Sequence, residues 1–256
     1  MTFTRAEARR RAARTDWTAL AAELDEHGSA PTGPLLTPAE CADLAALYDE
    51  PELFRTTVDL GRHRFGSGEY RYFRHDLPAP VAALRAALYP RLLPVARDWA
   101  ARLDRPAPWP DSLDAWLARC HAAGQDRSAQ ILLSYGPGDW NALHRDVFGE
   151  LVFPLQVVIA LDAYGTDYTG GEFLMVEQRP RAQSRGTASI LRQGHGLVFT
   201  TRDRPVRSPR SAGRGGGVPG GRRCPTRPRS GGRRPGHGAA TRRSGRTAGG
   251  TRRRAG

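Results

Sequence analysis

The last 50 residues of this 256-residue chain, from Arg207 to Gly256, contain 15 Arg and 14 Gly but no Asp, Glu, Leu, Ile, Met or aromatic residue. Such a segment has nothing with which to build a core. Ordering it would cost roughly 1 to 2 kcal/mol per residue with no apolar burial to offset that. Whatever folds must therefore be built from the first 206 residues, which hold all the Leu, Trp, Tyr and Phe of the chain and can enclose a substantial core.

The same boundary divides the charge. The formal balance of +13 suggests a nucleic-acid or membrane-surface protein, but the first 206 residues carry 24 Arg against 26 acidic residues and are close to neutral. The excess belongs to the tail. Cys41, Cys120 and Cys224 stand far apart, so neither a zinc site nor a disulfide framework follows from them. Residues 1–16 lack the apolar run of a signal peptide, and the longest apolar stretch, Leu151 to Leu161, is broken by Pro154 and Gln156. A cytoplasmic protein without a membrane span is expected.

The N-terminal half reads as helical. Thr37-Pro38-Ala39-Glu40 is a capping box with Pro at the first helical position, opening a helix to Tyr48. Further helices are expected over Trp17 to Glu26, Val81 to Leu103 and Ser112 to His121, with short strands over Phe54 to Leu60 and Glu69 to Phe73. From Ala129 the period changes to two. Strands are expected over Gln130 to Tyr135, Val152 to Leu161, Glu172 to Glu177, Ala188 to Leu191 and Leu197 to Thr201, each bounded by Gly, Pro or Asp. This gives an α+β chain in three parts: a helical region with two short strands (1–125), a strand-rich core forming a barrel or sandwich (126–206), and the tail (207–256).

His144-Arg145-Asp146 spaces an imidazole and a carboxylate two residues apart, so an extended backbone directs both to one face. Two His and one carboxylate on one face of an octahedral ion form the triad of non-haem iron oxygenases. Alone, a His-x-Asp pair is as well explained by a surface His beside a solvated Asp. Its surroundings add weight: Tyr135-Gly136-Pro137-Gly138-Asp139-Trp140-Asn141-Ala142-Leu143 precedes it, Phe153-Pro154-Leu155-Gln156 and Thr169-Gly170-Gly171-Glu172-Phe173 follow, then Gln193-Gly194-His195-Gly196-Leu197-Val198-Phe199.

In this order those motifs resemble the Fe(II)- and 2-oxoglutarate-dependent dioxygenases, and among them the bacterial prolyl-hydroxylase-like branch, over about residues 130–207. The resemblance implies a double-stranded β-helix, or jelly roll, with the helices outside it. It implies His144 and Asp146 as iron ligands, 2-oxoglutarate and O2 as cosubstrates and, as in relatives, ascorbate as an accessory reductant. Tyr135 would contact the cosubstrate, although a core Tyr with a bonded hydroxyl explains it as well. Trp140 is either a substrate wall or packing. Arg179, Arg181 and Arg185 either bind an anionic substrate or sit on an exposed connection. No further side chain is assigned a catalytic role.

The family pattern breaks near Arg207. The distal His that would complete the iron site, and the Arg or Lys that would pair with the far carboxylate of 2-oxoglutarate, are not where the pattern requires them. Beyond Asp146 the chain has His195, at a turn, and His237, inside the tail with Arg246 nine residues on. Both are weak candidates, the barrel is left incomplete, and impaired turnover is expected. The tail has three readings: an RGG-like nucleic-acid-binding segment, a linker, or the product of a frame change in GC-rich DNA, whose out-of-frame alphabet it matches. The resemblance implies a small-molecule or protein substrate. The alternative to an oxygenase is a non-enzymatic nucleic-acid-binding protein acting through the basic tail. Oligomeric state is not legible.

Overall fold

Thr4 accepts a hydrogen bond from the Glu7 amide at 3.2 Å and so starts the first helix, α1 (Arg5–Ala12). The structure is a computed structural model, and it describes residues 3–62, 65–146, 149–178, 183–201 and 203–206. Cys224, His237, Arg246, Arg179, Arg181 and the tail, for which expectations were stated above, lie outside these residues. Four further helices follow: α2 (Trp17–His27), capped by Asp16; α3 (Pro38–Ala46), with the Thr37/Glu40 capping box formed in both directions; α4 (Ala79–Arg102); and α5 (Leu113–Ala122), capped by Ser112. All but α1 were expected. That helix buries only Ala8 and Ala12, which leaves almost no apolar periodicity to read.

Among the described residues, ten strands form four antiparallel sheets. The first orders β1 (Ser29–Pro34), β10 (His195–Thr200) and β7 (Leu155–Ile159). The second orders β2 (Phe54–Asp59), β4 (Glu69–Phe73) and β5 (Ile131–Ser134). Two ribbons pair β3 (Gly66–Ser67) with β6 (Trp140–Asn141), and β8 (Phe173–Glu177) with β9 (Arg185–Ser189). The described residues are thus a mixture of helix and antiparallel sheet.

To the two strands expected within residues 1–125 the structure adds β1 and β3. β1 carries Pro31 and Pro34, which exclude it from a central position, and it lies at the edge of its sheet, where a missing N–H is tolerated. β9 begins three residues before the expected Ala188, because pairing with β8 sets its limits: Glu177 faces Arg185 and Phe173 faces Ser189.

The principal core joins Ala8 and Ala12 of α1, Leu20 and Leu24 of α2, Cys41 and Leu44 of α3 and Leu84, Leu88 and Trp99 of α4 to Ala30, Leu155 and Val198 of the β1-β10-β7 sheet. A second cluster packs Tyr89, Leu93 and Ala96 of α4 against Trp109 and, on α5, Trp116 and Cys120. α4 therefore buries two faces, while Pro90 and Pro94 lie on its exposed side. The described C-terminal end is tied in by Arg204, only 5% exposed. It meets Glu177 at 3.0 Å and donates to the Asp25 and Glu26 carbonyls at the end of α2. These are the carbonyls a helix leaves unpaired. Among the described residues no helix is long and apolar enough to cross a membrane.

Candidate metal centre

The β3–β6 ribbon places His144 and Asp146. Ser67 faces Trp140 and Gly66 faces Asn141, and the Ala142 amide extends the ladder by donating to the Phe65 carbonyl at 2.6 Å. So close an approach needs glycine: Gly66 has φ +143°, and a Cβ there would lie 2.0 Å from the Trp140 carbonyl oxygen. Gly68 has φ +104°, and its Cβ would meet the Tyr135 ring at 2.8 Å. The turn before β6 is closed by Asp139, which accepts from the Gly136 amide at 2.7 Å and from the Ser67 hydroxyl.

Beyond the ribbon, His144 Nε2 lies 3.0 Å from Asp146 Oδ1, and His144 Nδ1 lies 2.7 Å from the Ala142 carbonyl. The hydrogen bond to Asp146 raises the imidazole pKa to about 9, although its partial burial opposes the charge. The carbonyl at Nδ1 orients the ring with a proton on that nitrogen and directs Nε2 to the carboxylate. The side chains are 52% and 32% exposed, so an ion could reach them from solvent.

This separation suits a metal. Two adjacent ligand atoms at about 2.1 Å from an octahedral ion stand about 3.0 Å apart, and imidazole with carboxylate is a donor set that suits divalent iron. An ion bound here would compete with a proton for the imidazole nitrogen. The third protein ligand is not found: among the described residues no three His, Cys, Asp or Glu side chains are gathered as a metal site. His195 lies on β10 opposite Pro34, with Nδ1 3.2 Å from the Thr32 carbonyl, and joins no such group.

Tyr135 flanks the pair. Its ring is 45% exposed and its hydroxyl accepts from Asn141 Nδ2 at 3.2 Å; burial of the phenol group raises its pKa, with Asp146 adding to the effect. Tyr70 on β4 is pushed up to about 12, first by burial and then by Tyr72, with smaller contributions from Asp146 and Tyr135. The carboxylate of Asp146 is thus felt by two neutral phenols. Trp140 is 59% exposed, which excludes the packing reading for that ring. Arg185 is exposed on β9, with Nη2 3.0 Å from His27 Nδ1.

Several site residues escaped sequence reasoning. Asp203, which receives Arg145 at 3.5 Å and Arg105 at 2.5 Å, lies 58 positions beyond Arg145 and leaves no local trace. The Ser67–Asp139 clasp joins residues 72 apart. Gly66 and Gly68 gave a signal, as a glycine pair between two expected strands, but only the structure shows what approaches them.

A family model described as "Oxygenase, catalysing oxidative methylation of damaged DNA" matches residues 68–216, more than half of the chain and all of the site from Gly68 onward. The chain belongs to this oxygenase family. This membership agrees with the resemblance to 2-oxoglutarate-dependent, prolyl-hydroxylase-like dioxygenases carried by the motifs around His144 and Asp146. The chain is also similar to an uncharacterized protein of Mycobacterium tuberculosis, found in two strains, at 69% identity over 138 residues. That match covers 54% of this chain and 59% of the relative's length. Among solved structures it is similar to a Pseudomonas putida prolyl-4-hydroxylase, with a TM-score of 0.45 and 15% identity over 72% of this chain and 86% of the other.

Proposed function

We propose that the chain is built as an Fe(II)- and 2-oxoglutarate-dependent oxygenase that hydroxylates a C–H bond, with His144 and Asp146 holding the iron. The observation that carries this is the 3.0 Å approach of His144 Nε2 to Asp146 Oδ1, just beyond the ribbon and inside the region matched by the oxygenase family. When bound, iron with O2 and 2-oxoglutarate supplies the oxidation: one oxygen atom enters the substrate and the other enters succinate, with release of CO2. The jelly-roll barrel belongs to this proposal, as does a cytoplasmic location.

The protein's own part is positional. The Gly66–Asn141 and Ser67–Trp140 pairings hold the ligand segment, and the Ala142 carbonyl fixes the imidazole ring with Nε2 toward Asp146, where the two would hold the metal. Tyr135 offers a phenol beside the carboxylate, in reach of a cosubstrate bound there. The family description supports a damaged nucleic-acid base as substrate, in place of the protein or small amino-acid-like molecule that the prolyl-hydroxylase likeness implied. A non-enzymatic nucleic-acid binder working through the tail is not favoured by a family match centred on residues 68–216.

We also propose that this chain is impaired. The described residues offer two protein ligands rather than three, and no Arg or Lys among them is assigned to the far carboxylate of 2-oxoglutarate. Weak iron binding and little turnover should result. Iron content and succinate formation of the purified chain test both statements. Stoichiometric iron with vigorous succinate release would refute the impairment, and absence of any divalent-metal binding dependent on His144 would refute the metal site.

A further inference from the structure

Among the described residues are five histidines, and three of them are engaged at a ring nitrogen: His27 by Arg185, His144 by Asp146 and the Ala142 carbonyl, and His195 by the Thr32 carbonyl. The other two, His75 and His121, have no protein partner at either ring nitrogen, and their side chains meet each other instead. Both are exposed. They stand 46 positions apart in the chain, yet their ring centroids are 5.1 Å apart, with 69° between the planes.

Both rings stand on a fixed backbone. His75 follows Arg74, whose amide donates to the Leu53 carbonyl at 2.8 Å and whose Nε donates to the Phe54 carbonyl at 3.2 Å. His121 lies in the last turn of α5, next to Cys120, which is packed with Trp116 in the second core cluster. What each ring keeps is rotation about its Cβ–Cγ bond, a broad torsion in histidine. That bond points at the ring centre, so rotation redirects the nitrogens and leaves the centroid in place.

The spacing is the one a tetrahedral ion needs. Nitrogens bound at about 2.1 Å and about 109° apart around Zn2+ put the centres of two imidazoles about 5.2 Å apart, against about 4.5 Å for the right angle of an octahedral site. Neutral nitrogen donors favour Zn2+ over Mg2+ or Ca2+, which take oxygen ligands. The C-terminal end of α5, where His121 sits, carries the negative pole of the helix and so favours a cation. We propose that His75 and His121 form a second metal site, separate from the His144/Asp146 pair, that takes Zn2+ and clamps the segment after β4 to α5. Among the described residues no third His, Cys, Asp or Glu is gathered with them, so water completes the coordination and the ion exchanges with solvent.

The test uses the full chain carrying His144→Ala, so that the proposed iron pair cannot answer for the second site. Zn2+ should raise the melting temperature of this protein, because an ion shared by two folded elements stabilises only the folded state. Adding His75→Ala or His121→Ala should abolish that rise and weaken Zn2+ affinity about tenfold or more, since each removes one of two protein ligands. Both side chains are exposed, so melting without metal should be unchanged. A second measurement needs no substitution at either position and decides the matter if a variant melts low. Zn2+ should protect both imidazoles from carbethoxylation by diethyl pyrocarbonate, mapped by peptide mass spectrometry. The site is overturned if Zn2+ does not raise the melting temperature of the His144→Ala chain, if the rise survives either substitution, or if His75 and His121 react as fast with Zn2+ as without it.

Discussion

Arg145, the residue between the two proposed iron ligands, extends its guanidinium to within 3.5 Å of Asp203, which also receives Arg105 at 2.5 Å. One carboxylate, 16% exposed, thereby ties the ligand segment to the chain following β10 and to the loop following α4. Replacing it should matter beyond its own charge. Asp203→Asn is expected to lower stability by about 1 to 3 kcal/mol, the range for a charged hydrogen bond with little solvent access, read as a lower urea midpoint. Mn2+ affinity should fall as well, although Asp203 touches neither ligand. A stable variant with unaltered metal affinity would show that the tie does not position the site.

The metal pair gives a direct expectation. His144→Ala and Asp146→Ala should each reduce Mn2+ or Co2+ affinity at least tenfold, since even groups supporting a ligand are worth that much in metal sites. His195→Ala should leave affinity unchanged, because its Nδ1 is engaged near the Thr32 carbonyl on another sheet. Isothermal titration of the three variants separates these outcomes.

Gly66→Ala should disrupt the ribbon without removing any functional group. The added Cβ would stand 2.0 Å from the Trp140 carbonyl oxygen at a φ of +143°, so the ribbon must open or the strand must shift. A cost of about 1 to 3 kcal/mol is expected from the strained conformation. Thermal melting should show it, together with reduced Mn2+ binding. Gly138→Ala is the control for backbone strain alone: its φ is +83°, but no atom lies within 4 Å of the added carbon.

Acid should loosen the N-terminal helices at a pH set by Glu40. Its carboxylate receives Arg11 at 2.5 Å and is largely shielded, and this hydrogen bond holds its pKa below the ordinary 4.5. A depressed folded value means that the stabilisation is complete above about pH 4.5 and is lost as pH falls through that lower value. Arg11→Met should therefore move the acid transition, followed by far-ultraviolet circular dichroism between pH 2 and 6, to higher pH. An unmoved transition would place acid sensitivity elsewhere.

What the sequence disclosed was mainly what its neighbours along the chain decide. The Thr37/Glu40 capping box, the Ser112 cap and the periodic Leu84, Leu88 and Leu92 of α4 act within four residues of one another and were all legible. So was the His144/Asp146 pair, because a two-residue spacing is itself the geometry. α1 was hidden, although Thr4-Arg5-Ala6-Glu7 carries a capping pattern, because its Arg side chains mask a stripe made only of alanine. β1 was hidden because Ser29-Ala30-Pro31-Thr32-Gly33-Pro34 has the composition of a loop, and only β10 makes it a strand. Asp203 was hidden for the same reason: its partners are brought to it by tertiary structure.

The pairing of β1 with β10 also governs when this molecule can become itself. Ala30 finds Val198, and Ser29 finds Phe199, across nearly the whole described chain. During synthesis the ribosome delivers β1 early and its partner much later, so the first three helices must wait beside an unzipped edge until residue 200 emerges. A nascent chain halted before β10 would expose Ala30 and the apolar faces of α2 and α4 to whatever chaperone or stray strand arrives first. The last strand among the described residues is thus the closing stitch of a seam whose first side was laid some 165 residues before.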